Sequence, residues 1–160
     1  ATEGKFTSIT KKDKEIVLKE IAPKWNKRSY GGKRTIDEAI VTYKLAIYTG
    51  QLLEYKKVAL GSLSLSLVWL YRIKGQVDEE TRFLHFTKDL YTESYYKESL
   101  TDTNMDELKL GYLLGEINRR LGEKDEAIQW FNGILSNPNI SSNPMLERMV
   151  RGQWRLAREG

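Results

Sequence analysis

The chain has 160 residues, 40% hydrophobic and 30% charged, with no cysteine and one histidine. That balance fits one ordinary globular domain with a real core, and it excludes disulfides, thiol nucleophiles and Cys- or His-rich metal sites within the sequence. Because 26 basic residues are interleaved with 22 acidic ones, the net charge of +4 permits nucleic acid as a partner without indicating it.

Helical punctuation then recurs along the chain. Thr10 precedes a short amphipathic stretch whose apolar positions are Ile16, Val17 and Ile21, and Pro23 stops it. This N-terminal segment has no apolar core of a signal peptide and no small-residue cleavage site, so a cytoplasmic location is expected. "RSYGGKR" reads as a loop. Thr35 with Glu38 forms a capping box for "IDEAIVTYKLAIY", where Ala39, Tyr43, Ala46 and Ile47 share a face, and the helix ends near Gly50.

"LSLSLVWLY", residues 63–71, alternates like a half-buried strand. Leu60, Leu63, Leu67, Leu70 and Tyr71 also mark one helical stripe, and the segment runs on to Gly75, longer than strands usually are. Length therefore favours a helix. Leu65, Val68 and Trp69 lie off the stripe, which predicts a helix apolar nearly all round and central in the molecule. It is too short and too interrupted by Ser and Gly to span a bilayer.

Asp78 is positioned to cap the next helix, in which Phe83, Leu84, Thr87, Leu90 and Tyr91 share a face before "YYKESLTDTN" breaks it. Asn104 with Glu107 starts another that ends at Gly122, and Asp125 to Leu135 makes a further one. After the turn "SNPNISSNP", Asn143 caps a last helix with Pro144 at its first position. The expected fold is all-α, with about seven helices and no strand.

Short turns between helices raise the question of repeats. In "YLLGEINRRLGEKDEAIQWF", residues 112–131, Leu114, Gly115, Gly122, Ala127 and Phe131 stand at the spacings of a tetratricopeptide unit. In such a unit, two antiparallel helices cross so closely that each needs a small residue at the crossing. Ala39, Tyr43 and Ala46 repeat the second-helix signature. Aligning Gly75 with Gly122 gives a distorted middle copy, at 47 residues rather than about 34. The chain thus resembles stacked tetratricopeptide-like hairpins forming a right-handed superhelix. This predicts residues 1–34 as an extension with a short helix and 35–160 as the repeat domain, closed by the last helix.

"TIDEAIVTYKLAIY", "WLYR", the 112–131 stretch, "RGQW" and "ARE" together resemble the C-terminal half of a bacterial family, domain of unknown function 2225, from about Trp25 onward. Members of that family typically carry zinc-ribbon-like CxxC pairs N-terminal to this region. The resemblance therefore implies a fragment without the metal-binding part, and it implies no activity.

The residues offer no catalytic set. His85 lacks a Ser, Cys or Asp constellation and reads as structural or exposed. The acidic groups at Asp37–Glu38, Asp78–Glu80, Asp106–Glu107 and Asp125–Glu126 all fall in first turns of helices, where they complement the macrodipole. Gly-rich phosphate loops, HExxH and GxSxG are absent.

One arrangement points to binding. Helical-repeat arrays line a concave groove with the first helix of each unit, and here those positions are Tyr112, Glu116, Arg119 and Arg120, with Trp69 and Arg72 in the middle unit. Arg beside aromatic rings suits a carboxylate of a peptide. A second reading puts Trp69 in the core and lets Arg119 and Arg120 neutralise a helix C-terminus. Leu146, Met149, Val150 and Trp154 form the apolar face of the last helix, which reads as a cap over the array; Trp130 sits beside Phe131, and packing beneath that cap is one role open to it. The expected function is a non-catalytic module for a protein or peptide partner, without cofactor or metal. A helical nucleic-acid-binding module is the runner-up, separable by its steep salt dependence.

Overall fold

A computed structural model describes residues 35–160. The described residues form six α-helices and one 3-10 helix: α1 (Ile36–Leu52), α2 (Lys57–Lys74), α3 (Val77–Lys97), α4 (Glu107–Arg120), α5 (Lys124–Leu135), the 3-10 helix (Pro138–Ser142) and α6 (Pro144–Glu159). No strand occurs among them. The helix expected between Thr10 and Pro23 lies outside the described residues. Two compact units divide the chain, one ending at Thr87 and the other running from Lys88 to Gly160.

In the first unit, the Thr35 hydroxyl caps α1 by accepting the Glu38 backbone N–H at 3.1 Å. Ile40, Ile47 and Gly50 are buried, and α1 pairs with α2 through a tight turn in which Glu54 takes a left-handed φ of 54°. Gly50 is required at that approach, because a Cβ there would lie 2.7 Å from Leu60 and 2.9 Å from the Tyr55 ring.

"LSLSLVWLY" is helical, as its length predicts. Val58, Leu60, Gly61, Ser64, Leu67, Val68 and Tyr71 are buried, at helical and not alternating spacing. The expected all-round burial is not found: Trp69 is 45% exposed and Ile73 69% exposed, so α2 has an inner and an outer face.

The serines that made the strand reading plausible have their own helical explanation. Ser62 and Ser66 each donate to the carbonyl four residues back, while Ser64 is fully buried and donates to the Phe83 carbonyl at 3.2 Å. Thr87 completes the relay by donating to Ser64 Oγ at 2.7 Å, and Tyr71 stacks on Phe83 with ring centroids 5.6 Å apart. Polar side chains are thus buried here with partners, as burial demands.

In the second unit, α3 continues through Tyr95 and Tyr96 to Lys97, so the break expected at "YYKESLTDTN" begins three residues after its first tyrosine. Asp106, not Asn104, caps α4 by accepting the Lys109 backbone N–H at 2.8 Å. Likewise Asp78 sits inside the first turn of α3 and does not cap it. Asn143 caps α6 as expected, accepting from the Leu146 N–H, with Pro144 at the first position.

The α4–α5 hairpin closes around glycines. A Cβ at Gly115 would fall 2.4 Å from the Phe131 ring, and one at Gly111 would fall 3.3 Å from Ile134. Phe131, and not the expected Ala127, supplies the atoms nearest Gly115, because an aromatic ring reaches across the crossing where a methyl group does not. Leu114, Ala127 and Phe131 are fully buried. α6 covers this hairpin: Leu146, Val150 and Ala157 join Ala127, Phe131, Ile134 and Ile140 in one apolar cluster. Met149 is not part of that inner face, being exposed with Met145 and Leu156 on the outer side of α6.

Candidate functional site

Each of the two helices α2 and α4 ends in the same way. Gly75 and Gly122 take left-handed φ values of 79° and 80°, and their N–H groups donate to the carbonyls of Arg72 and Arg119 respectively. The equivalence of Arg72 and Arg119 that the Gly alignment predicts is therefore present in the backbone. The side chains differ. Arg72 lies 5.6 Å from the Trp69 ring centroid on the exposed side of α2. Arg119 donates to both Glu116 oxygens, at 3.0 and 2.7 Å, and Arg120 donates to Glu116 at 3.1 Å.

The six sequence-predicted positions thus form two local groups: Trp69 with Arg72 in the first unit, and Glu116 with Arg119 and Arg120 in the second. Tyr112 lies on α4 beside this triad, with its ring 6.3 Å from that of Phe131. Burial, followed by the Glu116 charge, pushes the Tyr112 phenol above its usual range. The hydrogen bonds that Arg119 donates to Glu116 hold its guanidinium more firmly protonated.

The second unit contains a feature that the sequence reading missed, a cleft of about 560 Å³ between the C-terminal half of α3, the first turns of α4, and α5. Its positions recur at helical spacing: Lys88, Thr92, Tyr95 and Tyr96 on α3, and Glu126, Gln129, Trp130 and Gly133 on α5. Inward-facing neighbours of each set are buried in the core, which leaves these positions on a common outer face. The signal was available in the i, i+4, i+7, i+8 pattern from Lys88 to Tyr96, which reading "YYKESL" as a break concealed.

Three aromatic rings form one wall. Tyr95 meets Trp130 edge to face at 4.8 Å, Tyr96 meets Tyr95 at 5.1 Å, and Tyr96 lies 6.2 Å from Trp130. Gly111 lets α5 approach here, since a Cβ on it would meet Ile134 and Trp130. Trp130 therefore packs on α3, which fills the role its position beside Phe131 left open. Trp154 does belong to α6's contact with α5, donating its indole N–H to Asn132 at 3.0 Å. The polar groups of the cleft are ordered by contacts of their own. Tyr95 donates its phenol to Glu107 at 3.1 Å, and Lys88 pairs with Glu126 at 3.1 Å. Burial first, then the bond to Glu107, raises the Tyr95 phenol above its ordinary pKa.

Among the described residues no group of three or more His, Asp or Glu side chains is placed to hold a metal ion. The acidic residues Asp37, Glu38, Asp78, Glu79, Glu80, Asp125 and Glu126 occupy first turns of helices, and His85 is exposed on α3. No helix of the described residues is long and apolar enough to cross a membrane.

Comparison with known proteins gives one family. The family described as an uncharacterized protein conserved in bacteria, domain of unknown function 2225, matches residues 1–157. The match is wider than the segment from Trp25 on which the sequence resemblance rests. No curated protein and no solved structure matches the chain.

Proposed function

This chain belongs to the bacterial family of domain of unknown function 2225, and from that premise we propose a non-catalytic protein- or peptide-binding module built as a tetratricopeptide-like helical array. Supporting the array are the α4–α5 crossing at Gly115 and Phe131, and the matched glycine turns at Gly75 and Gly122. The single observation that carries the binding function is the Tyr95, Tyr96 and Trp130 wall in an open cleft, with Tyr96 71% exposed. Aromatic side chains on a concave surface supply large contact area at low conformational cost and dominate protein–protein recognition.

The charge of the cleft also favours protein over nucleic acid. Glu107 and Glu126 outnumber Lys88 on its walls, which opposes a phosphate backbone. The arginine positions predicted from sequence, Arg72 and Arg119, offer a second contact surface. A ligand carboxylate at Arg119 or Arg120 would compete with Glu116 for the same donors.

Affinity capture from the native cytosol, with Tyr96→Ala and the double variant Arg72→Glu/Arg119→Glu run beside the parent chain, tests the reading. Loss of a specific partner in the Tyr96 variant alone assigns recognition to the cleft. Loss only in the double variant moves it to the arginines. A partner retained by both, with melting unchanged, overturns both surfaces.

A further inference from the structure

We propose that the cleft selects a basic side chain, Lys or Arg, presented by its partner. The inference rests on the protein-binding reading and adds the chemistry of what is bound. It starts from the charge on the walls. Lys88 and Glu126 lie 3.1 Å apart and cancel, which leaves Glu107, at the N-terminal turn of α4, as the one charged group on the cleft walls without an oppositely charged side chain there. The Glu107 carboxylate accepts the Tyr95 phenol at 3.1 Å. A carboxylate has about four acceptor positions, so capacity remains on an exposed group that the phenol holds in place.

The rings complete the match. A cation within roughly 6 Å of an aromatic face is attracted by the ring quadrupole, and Tyr95, Tyr96 and Trp130 stand together beside that carboxylate. The methylene stem of Lys or Arg covers apolar surface while its head reaches a polar partner. Rings for the stem and a carboxylate for the head are both present here. An acidic ligand would face Glu107 with like charge, and a neutral apolar one would leave its remaining acceptor positions to water.

The test uses the full chain and three pentapeptides, acetylated and amidated, with alanine at every position except a central arginine, norleucine or glutamate. The readout is the Trp130 indole N–H in a heteronuclear NMR titration, identified by its loss in Trp130→Phe. The arginine peptide is expected to shift that signal with an affinity about five- to tenfold above the norleucine peptide, as one partly exposed charge contact provides. The glutamate peptide should bind more weakly than either. Glu107→Gln should remove most of the arginine preference, and Lys88→Gln, which releases Glu126, should enlarge it.

Equal affinity for arginine and norleucine, or a preference that survives Glu107→Gln in a variant of unchanged melting, overturns basic selectivity and leaves the protein-binding reading standing. A Trp130 signal unmoved by all three peptides at several millimolar removes the cleft as a binding site and basic selectivity with it, and leaves the protein-binding reading on the Arg72 and Arg119 surface alone.

Discussion

Gly115 and Phe131 meet so closely that a Cβ on the glycine would lie 2.4 Å from the ring, and Phe131 is fully buried and has no space to retreat. Gly115→Ala should therefore destabilise the protein by roughly 1 to 3 kcal/mol through overpacking, even though alanine favours a helix by about 1 kcal/mol. Gly152 on α6 has nothing within 4 Å of its Cβ position. Gly152→Ala should show the propensity gain alone and raise stability by up to about 1 kcal/mol. Chemical denaturation of the two variants checks the opposite signs; two shifts of the same sign would mean that the crossing is looser than described.

The turns after α2 and α4 give a different kind of glycine dependence. At Gly75 and Gly122 a Cβ has open space, so sterics with neighbours cost nothing, but the φ values of 79° and 80° do. Alanine at either position should lower stability by about 1 kcal/mol, and asparagine by less, since its side chain tolerates the left-handed region better. Melting curves of Gly122→Ala and Gly122→Asn measure the difference; equal losses would point to a cause other than backbone conformation.

Removing α6 tests how the second unit is covered. A chain ending at Ser142 loses Leu146, Val150 and Ala157 from the cluster that contains Phe131 and Ile134. Exposure of that surface should lower the melting temperature and promote self-association, readable by light scattering. A truncated chain that stays monomeric and melts unchanged would make α6 an appendage.

Alkaline pH should weaken the fold through two phenols. Tyr95 and Tyr112 are raised above the ordinary tyrosine value of 10.0, chiefly by burial. The folded state then holds protons that the unfolded chain releases first, so the stabilisation is complete below about pH 10 and is lost as pH rises towards the folded values. Tyr112→Phe should flatten the fall in urea midpoint above pH 10 relative to the parent chain. An identical alkaline slope in both proteins would show that Tyr112 does not contribute.

Most of the helices were legible because their caps and stripes are local. Thr35 and Asn143 cap where their side chains predict, and the buried set Phe83, Leu84, Thr87, Leu90 and Tyr91 was readable from spacing alone. Caps failed where a better one stood nearby: Asp106 lies next to the first turn of α4, and Asn104 two residues too early. Trp69, read both as groove and as core, and Trp130, whose role was open, were ambiguous for one reason. A tryptophan in an amphipathic helix carries no mark of whether its side of the helix meets solvent, core or a cleft, and only tertiary packing decides it, as that of α3 on α5 does for Trp130. The cleft escaped sequence reading because its residues come from three helices and resemble a solvated face in each.

The outer side of α6 has a chemical consequence. Met145 and Met149 are exposed, as is Leu156 further along the same helix, while Val150 is fully buried. Peroxide reaches such sulfurs without any opening of the fold, and conversion to sulfoxide places a polar oxygen on a surface already in water. Oxidative wear at these two positions would leave the melting curve in place and be recorded only as added mass. The same methionines therefore serve as a built-in footprint, since anything that settles on α6 shields them from the oxidant.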